Sequence, residues 1–326
     1  MSFISNDYIN SIERGYGDSD KKLCHECIGN KSLKEYIKAN GYVCTCDYCG
    51  QRRKAVNLDS FMVIIMSGVN FLYTHAVNEL PCDSGEYIGK TYTTAQLIFE
   101  ELRDEIDAQD ERILKDIVEI MYDDIWCDAD PFSDREEDVA YYDWQSFCKM
   151  VKEKVRYVFY RATPDTSFNE DPTTILDTLA YYAERVRLDR RIDKNTKMYR
   201  CRTHENDEWR TAYADFAPPP PRVATSGRMN AAGINVLYLT LDPNTALCET
   251  RTSGRDYATI ASFRVTESIR VLDLTKIKKM SIPSIFDEDN RHNRSSVMFL
   301  QKFAENISQP RSNKNIEVDC KMKLDT

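Results

Sequence analysis

Several common signals are missing from this chain, and each absence narrows what it is. No signal peptide precedes its cysteines, and the most apolar stretch, Phe61 to Val77, is interrupted by Asn70 and His75 and short for a bilayer span. That stretch reads instead as a buried core helix, and no membrane partner is expected. No tandem repeat or low-complexity tract emerges, which argues against a solenoid. Basic residues are in deficit, with 44 lysines and arginines against 53 aspartates and glutamates and a net charge of -9. Such a balance repels a nucleic-acid backbone and makes that partner unlikely. Eleven cysteines in 326 residues are too sparse for a disulfide scaffold, so a reducing cytoplasmic setting is expected. What remains is a globular chain, 42% hydrophobic, long enough for two or three domains with packed cores.

The cysteines are not scattered evenly. Cys24-His25-Glu26-Cys27 and Cys46-Asp47-Tyr48-Cys49 are separated by 18 residues, which is zinc-ribbon spacing. Two such knuckles place four thiolates tetrahedrally around one ion, and Gly50 suits the tight turn after the second pair. A closed set of four cysteines, Cys24, Cys27, Cys46 and Cys49, makes a structural zinc site without an open position for catalysis. Cys44 and His25 stand near as substitute ligands. The alternatives are free thiols in a reducing compartment and a redox CxxC pair, although nothing nearby reads as a thioredoxin-like strand and helix. Lys21, Lys22, Lys31, Lys34, Arg52, Arg53 and Lys54 make this segment locally basic, which keeps open a nucleic-acid-binding ribbon within an acidic chain.

Met198 to Arg251 concentrates the chemistry. After Met198-Tyr199-Arg200-Cys201-Arg202 and the stiff run Pro218 to Pro221 comes Ser226-Gly227-Arg228-Met229-Asn230-Ala231-Ala232-Gly233, whose glycines permit close approach to a ligand and present Arg228 to a phosphate. Ile234 to Leu241 alternates as a strand, with Leu237, Leu239 and Leu241 on one face and Val236, Tyr238 and Thr240 on the other. Asp242-Pro243 then starts a helix to about Arg251, an N-cap acceptor followed by proline at the first helical position. Glu249 lies two turns in, beside Ala246-Leu247-Cys248, where an unpaired carboxylate would be costly, so it is expected to face a cleft or a partner.

These residues resemble the RES domain, a family of NAD-consuming bacterial toxins named for an arginine, a glutamate and a serine. The arginine of Tyr199-Arg200, the Gly227-Arg228 pair, the Leu237-Tyr238-Leu239 strand and the glutamate of Ala246-Leu247-Cys248-Glu249 stand in the family's order, over about residues 195 to 317. The resemblance implies an ADP-ribosyltransferase-like α/β domain acting on NAD. Glu249 would stabilise the oxocarbenium-like ribose as the nicotinamide bond breaks. Arg200 and Arg228 would meet the pyrophosphate, with Arg202 as a weaker third and Tyr199 beside them. Tyr238 would offer its ring or hydroxyl to the nicotinamide. Read singly, the arginines are surface ion-pair partners, Tyr238 a half-buried strand residue and Glu249 a salt-bridged helix residue. The chain departs from the family at its end: after Ile316-Glu317 no proline and no counterpart of the family serine follows, and Ser295 and Ser296 read as capping residues of a helix running through Phe303.

Between these regions the chain reads as helical. Ala95 to Met121 keeps apolar residues at helical spacing, Trp144 to Tyr160 and Leu176 to Leu188 supply further amphipathic helices, and acid dominates Glu100 to Asp138. That acidic face is read as a solvated surface, or as a docking surface or an autoinhibitory cover over the arginines. Tyr142-Asp143-Trp144 and Val155-Arg156-Tyr157 resemble the HEPN-like domain that precedes long RES domains. The Arg-x-His signature of its ribonuclease members is not visible. The expectation is thus an α+β protein: a zinc-ribbon module over 1–54, a helical HEPN-like domain over 55–190 and a RES-like NAD-binding domain over 191–326. It cleaves or transfers the ADP-ribose part of NAD, or serves as a non-catalytic zinc-binding adaptor with a degenerate RES domain. RES toxins are often paired with an antitoxin, so the resemblance implies an antitoxin or regulatory protein as partner. Homo-oligomer formation is left open.

Overall fold

The computed structural model describes residues 14–153, 174–205, 210–220, 235–250 and 257–308, the side chains of 151–153 excepted. The fold is α+β, and the chain divides into two compact units: Met1–Glu136 with Ser281–Ser295, and Glu137–Met280 with Ser296–Thr326.

The first unit is built on an antiparallel sheet in which Arg52–Asn57 lies between Lys22–Cys24 and Tyr42–Thr45. Between its outer strands runs the helix Lys31–Asn40, capped by Asn30, whose side chain accepts from the backbone of Ser32 and Leu33 at 2.9 and 3.2 Å. The helix Leu58–Leu72 is the core element. Leu58, Phe61, Met62, Ile65 and Val69 recur at helical spacing and are all fully buried. It is shorter than the apolar run from Phe61 to Val77 suggests. Tyr73–His75 leaves it as a strand and pairs with Ile125–Asp128, while His75 stacks on the buried Trp126 at 4.2 Å. A second sheet thus ends a helix that hydropathy alone would extend.

The helical pattern from Ala95 to Met121 is also interrupted. A π-helical turn at Leu97–Glu101 and a short helix Arg103–Ile106 end at Asp107, whose φ of 52° is left-handed. Asp110 then caps Glu111–Ile120. Ile106, Ile113 and Ile117 are nonetheless fully buried, because the break leaves all three facing one core.

Ser281–Ser295 completes this unit. Ile285 and Phe286 are buried in the same cluster as Cys24, Cys27 and Cys46, and Arg294 donates to Pro283 O at 2.7 Å and pairs with Glu105 at 3.1 Å. Arg291 donates to Ser67 O at 2.8 Å, and Asn30 Nδ2 to Ser284 Oγ at 3.0 Å.

In the second unit, helices Glu136–Glu153, Thr174–Arg185 and Arg294–Ser308 bring together Trp144, Phe147, Tyr182, Phe299 and Phe303, with Trp144 edge-on to Phe303 at 4.8 Å. Lys302 pairs with Asp138 at 2.9 Å across two of these helices. Beside them lie two antiparallel pairs, Asp189–Ile192 with Ile269–Leu272 and Lys197–His204 with Tyr257–Arg264. The strand expected from Ile234 to Leu241 is, over its described part, a single bridge: Thr240 exchanges backbone bonds with Tyr199 at 2.7 and 2.9 Å. Alternation alone does not make a ladder when only one residue meets a partner's backbone groups. Ser295 and Ser296 lie inside the first turn of Arg294–Ser308. The buried Ser296 Oγ has no hydrogen-bond partner, so it does not cap that turn.

Candidate functional site

The four cysteines predicted to bind metal do converge. Cys24 Sγ lies 3.6 Å from Cys27 Sγ and 3.6 Å from Cys49 Sγ, Cys27 Sγ lies 3.8 Å from Cys46 Sγ, and all four sulfurs fall within 4.8 Å of one another. Tetrahedral bonds of about 2.3 Å set sulfurs about 3.8 Å apart, whereas a disulfide requires about 2.05 Å. The cluster therefore has the dimensions of a metal-ion site, closed by four protein ligands. Local backbone explains the convergence. Cys24 N–H points to Cys46 Sγ at 3.4 Å, and Gly50, at φ 70°, turns its N–H back to Cys46 O at 2.9 Å. Burial pushes the Cys24 and Cys27 thiols up, a cost that a bound cation offsets by holding them as thiolates.

A clasp that sequence reading missed ties the second knuckle to the helix Glu111–Ile120. Tyr48 donates its hydroxyl to Asp116 Oδ2 at 2.8 Å, Lys21 Nζ donates to Asp116 Oδ1 at 2.6 Å, and Arg112 reaches Tyr48 O at 2.7 Å. Asp116 is buried, and burial together with the Asp116 hydrogen bond holds the Tyr48 hydroxyl protonated well above its ordinary range. These partners lie 68 and 95 positions apart along the chain, so no local pattern could announce them.

In the second unit, Tyr199, Arg200 and Arg202 share the strand Lys197–His204. Strand alternation puts Met198, Arg200, Arg202 and His204 on one face, opposite Phe263, Ala261, Thr259 and Tyr257 of the partner strand. Arg200 spends one nitrogen on the carbonyls of Phe216 and Ala217, at 2.8 and 3.0 Å. Burial lowers its pKa, and the charge of Arg202, two residues along the same strand face, lowers it further. Among the described residues no carboxylate pairs with either. The buried Nε of Arg202 has no hydrogen-bond partner. His204, also buried, meets Thr259 Oγ1 at 2.9 Å and stacks on Tyr257.

Residues 197–312, which contain this strand, match the family model of the RES domain. The chain carries a RES domain. Residues 39–165 match HEPN/RES N-terminal domain 1. No curated protein and no solved structure gives a match. As a family, RES domains have an NAD-related role.

The RES domain's other candidate residues are placed as follows. Asp242 caps the helix Pro243–Glu249, accepting from Thr245 N at 2.7 Å with proline in the first turn, as the sequence predicts. That helix packs against Lys197–His204 and buries Ala246. Thr250 donates its hydroxyl to Leu247 O at 2.7 Å, and the same oxygen lies 3.8 Å from Cys201 Sγ, on the strand face opposite the arginines. Glu249 is solvent-exposed at the helix end, and no described residue pairs with it. Tyr238 is 43% exposed, two residues before the Thr240 bridge. The fold thus brings Tyr199, Arg200 and Arg202 onto one strand and sets Tyr238 and Glu249 on the segment that adjoins it. Arg228 and its loop, Val155-Arg156-Tyr157 and the chain's end from 309 lie outside the described residues. Among the described residues no helix is long and apolar enough to cross a membrane.

Proposed function

We propose that this chain binds NAD through its RES domain and breaks the nicotinamide–ribose bond, with a toxin or defence role and growth arrest through NAD loss as the consequence. The observation that carries the reading is the paired-arginine face inside the RES match: Arg200 and Arg202 project from one face of the same strand, and no described carboxylate pairs with either. A diphosphate meets such a pair with bidentate geometry. In this reading Arg200, Arg202 and Arg228 contact the pyrophosphate, Tyr238 faces the nicotinamide and Glu249 stabilises the ribose as the C–N bonding pair leaves with nicotinamide, while Tyr199, on the other face of the strand from Arg200 and Arg202, does not line the pyrophosphate. Water, inorganic phosphate or a protein side chain then takes the ribosyl carbon. Cys24, Cys27, Cys46 and Cys49 hold a structural zinc. The parts are a zinc module, a HEPN-like domain and the NAD-binding domain, with an antitoxin as the expected regulatory partner.

A second reading is a non-catalytic adaptor with a degenerate RES domain, and the exposure of Glu249 favours it. NAD consumption by the purified full chain, with and without phosphate, separates the two. Turnover that Glu249→Gln abolishes supports the enzyme, and NAD binding without turnover in any condition supports the adaptor.

A further inference from the structure

Arg200 and Arg202 are neighbours on one strand face but differ in what their guanidinium groups are already doing. Arg200 is committed: its Nη1 bridges the carbonyls of Phe216 and Ala217, which end the turn Tyr213–Phe216. These carbonyls are orphan acceptors at a helix end, and one cation satisfies both. Arg202 is uncommitted at its inner nitrogen, since Nε is buried without a partner although buried donors are almost always satisfied. Its surroundings are polar and fixed. Thr259 lies directly opposite in register, and His204, next on the same face, is held between the Thr259 hydroxyl at 2.9 Å and the ring of Tyr257 at 6.0 Å. Nothing acidic among the described residues neutralises the pair, and Arg210, a further cation in the second unit, is already matched to Asp215 at 3.6 Å.

We infer that Arg202, rather than Arg200, makes the principal contact to the substrate's diphosphate, and that Arg200 is a positioning residue that holds the Tyr213–Phe216 turn. The inference rests on the NAD reading and assigns roles within that same site. Guanidinium offers its donors as a planar fork, Nε–H together with one Nη–H, which matches two oxygens of a phosphate. In Arg202 the Nε donor of that fork is unspent, and a diphosphate that reaches it would satisfy the orphaned donor and offset the positive charge of both arginines. The same two residues read from sequence alone suggest the reverse ranking, because Arg200 matches the family's arginine and Arg202 does not.

The test is a binding titration of the full chain with NAD, with inorganic pyrophosphate and with nicotinamide mononucleotide, which lacks the diphosphate, run beside thermal melts. Arg202→Gln is expected to weaken NAD and pyrophosphate binding at least tenfold while leaving the melting temperature and any mononucleotide binding unchanged. Arg202→Lys should restore only part of that loss, since an ammonium group cannot form the fork. Arg200→Gln is expected to lower the melting temperature and to weaken pyrophosphate binding less than Arg202→Gln does. Wild-type pyrophosphate affinity in Arg202→Gln overturns the inference, as does an Arg200→Gln protein that melts normally yet loses pyrophosphate. A wild type that binds pyrophosphate through Arg202 but never consumes NAD sinks the enzymatic reading and leaves the assignment standing. A wild type that binds neither NAD nor pyrophosphate sinks both.

Discussion

Gly68→Ala is the sharpest test of how the first unit is packed, because two effects of opposite sign compete at one atom. Gly68 sits inside the helix Leu58–Leu72, and its φ is not in the left-handed region, so an alanine backbone is permitted there. On an exposed helix the substitution would stabilise by about 1 kcal/mol through helix propensity. Here an added Cβ would stand 2.4 Å from Phe286 Cδ1, 2.5 Å from Cε1 and 3.3 Å from Ile285 Cγ1. Phe286 is 2% exposed and Ile285 is fully buried, so neither can swing away without disturbing the core. Overpacking of this kind costs about 1–3 kcal/mol, more when backbone must shift, and it outweighs the propensity gain. A net loss of up to about 2 kcal/mol corresponds to a melting temperature lowered by roughly 4–8 °C, at about 2–4 °C per kcal/mol for a unit of this size. Phe286→Ala should cost about 3–5 kcal/mol on its own. In that background the ring is gone and the methyl has room, so adding Gly68→Ala should become stabilising, a coupling of about 1–3 kcal/mol. Thermal and urea unfolding of the four proteins gives the cycle. A stabilised Gly68→Ala single mutant, or simple additivity, would refute the packing of Phe286 against this helix.

Asp116→Ala should destabilise by about 1.5–3 kcal/mol, since it strands the buried Tyr48 hydroxyl and frees Lys21; a urea midpoint within error of wild type would contradict the clasp. Elemental analysis should find one zinc per chain, lost with Cys27→Ser and retained with Cys44→Ser, and chelation should lower the melting temperature. Unchanged melting after complete metal removal would argue against a structural ion. Asp273 is held below the usual carboxylate range first by the Thr275 hydroxyl, with the Thr275 backbone and Arg190 assisting against desolvation. A lowered folded pKa stabilises above about pH 4 and is lost as pH falls through it, so Asp273→Asn should flatten the acid limb of the stability profile, measurable by circular dichroism.

What the sequence determined by itself is whatever depends on near neighbours. Two CxxC knuckles at ribbon spacing are enough to bring four sulfurs together, because each pair is set by its own turn and Gly50 supplies the left-handed angle. The Asp242-Pro243 start of a helix and the helical spacing of Phe61, Ile65 and Val69 are likewise local, as is the alternation that puts Arg200 and Arg202 on one strand face. The residues of the RES resemblance were legible too, since order and spacing along one chain carry them. Only tertiary structure decided where the apolar run from Phe61 stops, because Tyr73 leaves the helix to pair with a strand more than 50 positions away. It alone set Ile285 and Phe286, from within the RES match, in the first unit's core, and it alone buried Asp116 against Tyr48. The same holds for the division of labour between two arginines. Which of them is held by backbone carbonyls and which keeps a free donor depends on where the Tyr213–Phe216 turn comes to rest, and no spacing within Tyr199-Arg200-Cys201-Arg202 encodes that.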